Sequence, residues 1–248
     1  MPPILDPRFL NQTQFDSAAP AGTAVVVHKF ENEGEFQLLL HQGRKQLRQM
    51  KLNVQPDPAG DGLTAQAQAP GGREAPAAAA LDIATMLRPG VQPLDSTDLP
   101  GPGYLSLTSS QPIPEHHLVV KKRDGGDTVL DTRRLGPQSL FAVTLVRPGR
   151  YRLTNTISGA EAAVVVTYPK VGKTPYRPPE PLEIDCGAKG FGASKFTISP
   201  AQGIIFRLST ESRIQLELVE PDDGPKQRGS QPKASFRSPP ATGSQSDA

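Results

Sequence analysis

Apolar and polar side chains alternate without a break from Arg213 to Leu218. Ile214, Leu216 and Leu218 fall on one side, and Arg213, Gln215 and Glu217 on the other. Successive side chains of a strand point to opposite faces, so this period of two marks a strand with one dry and one wet face. Such a strand needs a second layer to cover its dry face. Many other short segments carry strand chemistry. Ala24–Phe30 is β-branched and apolar, and a turn at Glu31–Gly34 leads into Glu35–His41. Tyr104–Leu107, Arg150–Asn155, Leu182–Ile184, Phe196–Ile198 and Ile204–Leu208 follow the same grammar. Ser139–Val146 is apolar on both sides and predicts a central strand, and Ala162–Tyr168 is rich in valine. His117–Lys122 and Thr128–Asp131 flank Asp124-Gly125-Gly126-Asp127, a stretch suited to a tight hairpin because glycine tolerates positive φ. Lys45–Val54 reads equally as a strand or a short helix. Short strands divided by turn signals predict an all-β fold, an antiparallel β-sandwich.

The rest of the chain is compositionally different. Of 248 residues 27 are Pro and 23 Gly, and only 36% are hydrophobic, which predicts a folded core with segments too apolar-poor to join it. Residues 1–22 read as a flexible arm, with Phe9, Leu10 and Phe15 able to dock. Residues 23–54 hold strands that belong either to the sandwich or to a small subdomain. Residues 55–99 read as a Pro/Ala/Gly-rich linker, with a short helix over Ala77–Leu87 ended by Pro89-Gly90. The sandwich is expected over residues 100–220, and a disordered tail over 221–248.

A formal charge of +2 from 27 basic and 25 acidic residues provides no concentrated basic footprint, so nucleic acid is not an expected partner. Trp is absent and aromatics make up 5%, which removes stacking platforms for single strands. Cys186 is the one cysteine, so no disulfide forms within the chain, and it reads as a buried thiol in a reducing compartment. No basic start leads into an apolar run, and no stretch approaches the roughly 20 apolar residues of a membrane span. The expected location is the cytoplasm.

Pro148-Gly149-Arg150-Tyr151-Arg152-Leu153-Thr154-Asn155, followed by Val164-Val165-Val166, resembles the end of a cupredoxin, the small β-sandwich that carries type 1 copper. The resemblance covers about residues 139–168. It implies a cupredoxin-like sandwich, although Pro-Gly before an inward Tyr also suits an immunoglobulin-like one. In that family a copper-binding Cys stands four residues after the Tyr, with a His and a Met following. Here those positions hold Asn155, Ser158 and about Ala163. Copper of this type needs a thiolate and two imidazoles, which an amide, a hydroxyl and a methyl cannot supply.

Other motifs point away from catalysis. His116-His117 beside Glu115 suggests a metal, but neighbours on a strand face opposite ways, so ligation requires convergence with His28 or His41. The plain expectation is a pair of exposed histidines at a strand start, with no metal and no cofactor. Gly187–Lys195 has the outer glycines of a phosphate loop but Ala193-Ser194 where Lys and Ser/Thr belong, and a strand follows instead of a helix. No G-x-S-x-G elbow occurs, and Asp82, Asp95, Asp98, Asp131 and Asp185 are scattered. Lys121-Lys122-Arg123 and Arg133-Arg134 read as a solvated edge. The function this predicts is a non-catalytic structural or protein-interaction module with a protein partner or a homo-oligomeric state. The alternatives are a metal-handling protein with a remodelled histidine site, and a secreted or envelope-associated binding domain.

Overall fold

The computed structural model describes residues 11–56, 77–87, 96–168 and 176–222. Its strands, in chain order, are β1 (Gln14–Asp16), β2 (Ala24–Phe30), β3 (Gly34–Gln42), β4 (Lys45–Val54), β5 (Ala77–Asp82), β6 (Ser96–Leu99), β7 (Gly103–Thr108), β8 (His116–Lys122), β9 (Thr128–Asp131), β10 (Ser139–Thr144), β11 (Gly149–Asn155), β12 (Ala160–Val166), β13 (Leu182–Cys186), β14 (Lys195–Ile198), β15 (Gly203–Leu208) and β16 (Ile214–Pro221). A four-residue helix, α1 (Ile83–Met86), follows β5. Asp82 caps it by accepting from the Ala84 N–H. No helix among the described residues is long and apolar enough to cross a membrane.

The fold is all-β, in three sheets. The first has the order β1-β16-β11-β12-β14, the second β13-β15-β10-β2-β7-β5, and the third β6-β4-β3-β8-β9. The expected alternation is visible at the centre of the second sheet. Ala24, Val26, His28 and Phe30 of β2 face inward, as do Ser139, Phe141 and Val143 of β10. Phe141 stands opposite Phe206 in register, and the two rings stack with centroids 5.8 Å apart. One continuous core draws on all three sheets, with Tyr151, Phe206, Leu38 and Leu105 fully buried within it.

The three sheets reveal an internal duplication. Read outward from the central β2–β10 pair, the second sheet is a palindrome: β2-β7-β5 on one side and β10-β15-β13 on the other. The first and third sheets match in the same way, β11 with β3, β12 with β4, β14 with β6, β16 with β8, and β1 with β9. The chain is therefore two topologically equivalent halves, β1–β8 and β9–β16. Each half lends its first strand to the sheet of the other: β1 pairs with β16, and β9 pairs with β8. The same number of residues separates Asp16 from Asp131, Gly34 from Gly149, and Phe36 from Tyr151. The two glycines share an unusual backbone, with φ of 145° and 143°.

Several expectations need correction. The sandwich is not purely antiparallel, because β4/β6, β5/β7, β12/β14 and β13/β15 run parallel. In those stretches the chain crosses to another sheet with every strand, so strands two apart in sequence point the same way and become neighbours. Residues 24–30 and 34–42 are not a paired hairpin. β2 lies in the second sheet and β3 in the third, and Phe30 and Phe36 meet edge to face at 5.0 Å. Residues 23–54 form no separate subdomain, since β2 is hydrogen-bonded between β10 and β7. Lys45–Val54 is a strand, because Met50, Leu52 and Val54 bury at a period of two. Within 55–99, residues 77–82 and 96–99 are strands and not linker, and Ala77–Asp82 is not helical. Pro89-Gly90 lies outside the described residues. So do 1–10, with Phe9 and Leu10, and 223–248 of the expected tail. Residues 11–22 are not a loose arm: Phe15 is buried in β1, against the ring of Tyr151.

Candidate functional site

Asn155, Ser158 and Ala163 lie at the tip and return strand of the β11–β12 hairpin. Asn155 is buried, and its amide is engaged at both ends: Nδ2 donates to Ser212 Oγ at 3.0 Å, and Oδ1 accepts from Ile157 N–H and Arg213 N–H. Ser158 is exposed and accepts from the Ala160 N–H. Ala163 is half-buried and pairs with Lys195. The Tyr151 hydroxyl donates to the Arg147 carbonyl at 2.9 Å and closes the corner that brings the chain into β11.

The four histidines divide between one close pair and two separate buried rings. His28 is on the inward face of β2, where its Nδ1 meets Ser139 Oγ at 2.9 Å. Burial holds its pKa down at about 4. His116 and His117 are not exposed, contrary to expectation: they are 2% and 7% accessible. They do face opposite ways. His117 stands opposite His41 on β3, and the two rings stack with centroids 5.0 Å apart and planes 12° apart. His116 turns to the other side, with Nδ1 against the Ile113 carbonyl oxygen. That carbonyl can only accept, so Nδ1 carries the proton and Nε2 the lone pair. Nε2 is buried without a hydrogen-bond partner among the described residues. The duplication explains why. The equivalent of His116 is Ser212, which bonds the Asn155 amide, whereas the equivalent of Asn155 is Leu40, which has no polar atom to offer. Burial also pushes the His116 pKa below its ordinary value, which keeps the ring neutral.

His116 lines a cleft of about 770 Å³. Phe15, Ile113, Pro112 and Pro114 give it apolar walls, and Gln12, Gln14 and Gln215 contribute amides. On this side the outward carbonyls of β1 are already engaged. Thr13 and Ser17 bond to β16, so the carbonyls of Gln14 and Asp16 point away from it, and they accept from Gln12 Nε2 and the Ala19 N–H. Asp16 anchors one wall. Burial alone would raise its pKa, but hydrogen bonds from Arg213, the Ala18 N–H and Gln215 outweigh that and hold the carboxyl below the usual range. The sequence did not disclose this cleft, because its walls come from three stretches far apart in the chain. Its one local sign is the Pro112-Ile113-Pro114 segment before His116.

The remaining candidates stay apart. Gly187 and Gly190 bond to each other's backbone in a tight turn, and Phe191 anchors that loop in the core. Asp82 caps α1, Asp98 accepts from the Asn53 amide, Asp131 is held by Arg133, and Asp185 is exposed on β13; Asp95 lies outside the described residues. Arg123, Arg133 and Arg134 are paired with Glu35, Asp131 and Glu211. Among the described residues no three His, Cys, Asp or Glu side chains gather as a metal-binding group. Compared with known proteins, the chain matches no family model, no curated protein and no solved structure.

Proposed function

We propose that the chain is a non-catalytic β-sandwich interaction module that takes an extended segment of a protein partner in the cleft between β1 and residues 110–116. The cleft carries this reading. Its apolar walls favour aliphatic or aromatic side chains, and its amides, each both donor and acceptor, suit a peptide backbone. With the outward carbonyls of Gln14 and Asp16 engaged, recognition rests on side chains. Placement in the cytoplasm fits a chain whose one thiol, Cys186, is buried and unpaired.

A photo-crosslinker placed at Gln14, which is exposed at the cleft, tests the reading in the native host. The expected result is a discrete covalent adduct with one protein, lost when Ile113 is changed to Asp in a variant that keeps its thermal midpoint. If no adduct forms, or if the same adduct forms from a crosslinker on exposed Ser158, the cleft is not the docking site.

A further inference from the structure

We propose that His41 and His117 form a two-imidazole site for a divalent transition-metal ion of the zinc, copper and nickel class. The pair is built by the sheet. The two residues are directly opposed across the antiparallel β3–β8 ladder, on the same face, with rings 5.0 Å apart and nearly parallel. Neither ring has a hydrogen-bond partner among the described residues, although His117 is only 7% accessible. With no partner competing for the ring nitrogens, the opposed pair is free to share one ligand. Imidazoles opposed on one face of a ladder can each give one nitrogen to an ion held by metal–nitrogen bonds of about 2.0–2.1 Å.

The duplication shows that this position has been released from another task. The equivalent of His117 is Arg213, which makes a two-pronged pair with Asp16 at 3.1 and 2.7 Å. The equivalent of Asp16 is Asp131, but its carboxylate is taken by Arg133, with Nε at 3.0 Å and Nη2 at 2.7 Å. Arg133 reaches in from the position that Ala18 holds in the other half. His117 is thus spared the role of counter-ion and stacks on His41 instead. Leu39 and Val119, opposed in the next row of the same face, back the pair with apolar surface. Two imidazoles leave the other coordination positions to water or to a ligand from outside, so the site is open and of moderate strength.

The test is calorimetric titration of the full chain with Zn²⁺ and with Cu²⁺ near neutral pH, alongside NMR of the histidine ring protons. The expected result is one equivalent bound more tightly than about 1 mM, with Cu²⁺ ahead of Zn²⁺ and no response to Mg²⁺. Shifts should be confined to His41 and His117. His41→Asn should weaken binding at least about tenfold, and the His41→Asn/His117→Asn double variant should abolish it. His41 is the more exposed partner, so its variant decides the matter even if His117→Asn disturbs folding. Absence of binding, or unchanged affinity in His41→Asn, overturns the proposal.

Discussion

Ser17 and Thr132 do the same work in the two halves. Ser17 Oγ accepts from the Ile214 N–H at 3.0 Å, and Thr132 Oγ1 accepts from the Leu118 N–H at 3.0 Å. Both hydroxyls are fully buried, and each sits where a lent strand meets the last strand of the other half. Removing either leaves a buried N–H unpaired. Ser17→Ala and Thr132→Ala should each destabilise by about 1–3 kcal/mol, with Thr132 the costlier because its hydroxyl also donates to the Ala18 carbonyl at 2.7 Å. Urea denaturation measures both; a negligible loss at either site would break the equivalence.

Strand exchange has a consequence for cooperativity. β1 and β9 each complete the sheet of the other half, and β2 and β10 form one ladder through the middle. The two halves should therefore unfold in a single transition, with calorimetric and van't Hoff enthalpies equal. Fragments 1–127 and 128–248 should each fail to give a cooperative transition alone, and should recover one when mixed. Two separate transitions in the whole chain would show the halves to be independent.

Gly34 and Gly149 share a backbone conformation but not surroundings. A Cβ at Gly149 would lie 2.5 Å from the Glu220 carbonyl oxygen and 2.7 Å from Leu218 Cδ1, whereas one at Gly34 meets only the Phe36 ring at 3.8 Å. An alanine at either position takes on the strain of positive φ, about 1–3 kcal/mol, and Gly149→Ala adds an overlap that backbone cannot relieve cheaply. Gly149→Ala should be the more destabilising of the two by thermal melting. Equal losses would mean that β11 and β16 separate readily at that point.

These paired positions show what the sequence disclosed and what it hid. Strand identity was legible wherever one face is wet, as in Ile214–Leu218, because burial imposes a period of two. The Asp124–Asp127 hairpin was legible from its glycines. The duplication was not, since it preserves strand order and turn geometry while exchanging Val26 for Phe141, Leu40 for Asn155 and Arg213 for His117. Sheet assignment was hidden as well: nothing local to Glu31–Gly34 distinguishes a hairpin from a crossing between sheets, and the pairing of β2 with β7 and β10 is set by distant segments. Of the candidate residues, His41 and His117 are brought together by an antiparallel register that neither segment reveals alone.

His28 gives stability a pH dependence of definite sign. In the folded chain it is protonated only below about pH 4, against 6.5 for the ordinary side chain. Between those values the unfolded chain binds more protons, so stability falls as the pH drops from 6.5 toward 4, by roughly 3 kcal/mol from this group. His116 and His117, also lowered by burial, act in the same direction. Denaturation midpoints across this range should fall before most carboxylates titrate, and His28→Gln should flatten the curve. A wild-type curve flat down to pH 4 would place these rings in water.

Cys186 is the cleanest probe of the core. It lies on the inward face of β13, in register with Leu208 of β15, and is 1% accessible. Burial, with Asp185 next to it, pushes the thiol up to about 12, so the reactive thiolate is scarce at neutral pH. An aromatic disulfide reagent should therefore modify the native protein only as fast as β13 opens. Because β13, among the described residues, is an edge strand paired only through the parallel ladder to β15, that opening can be local and need not await global unfolding. The rate's dependence on urea separates the two routes: a weak dependence means fraying of β13, and one matching the global transition means that β13 is held as firmly as the centre of its sheet. Rapid modification in the absence of denaturant would contradict the burial itself.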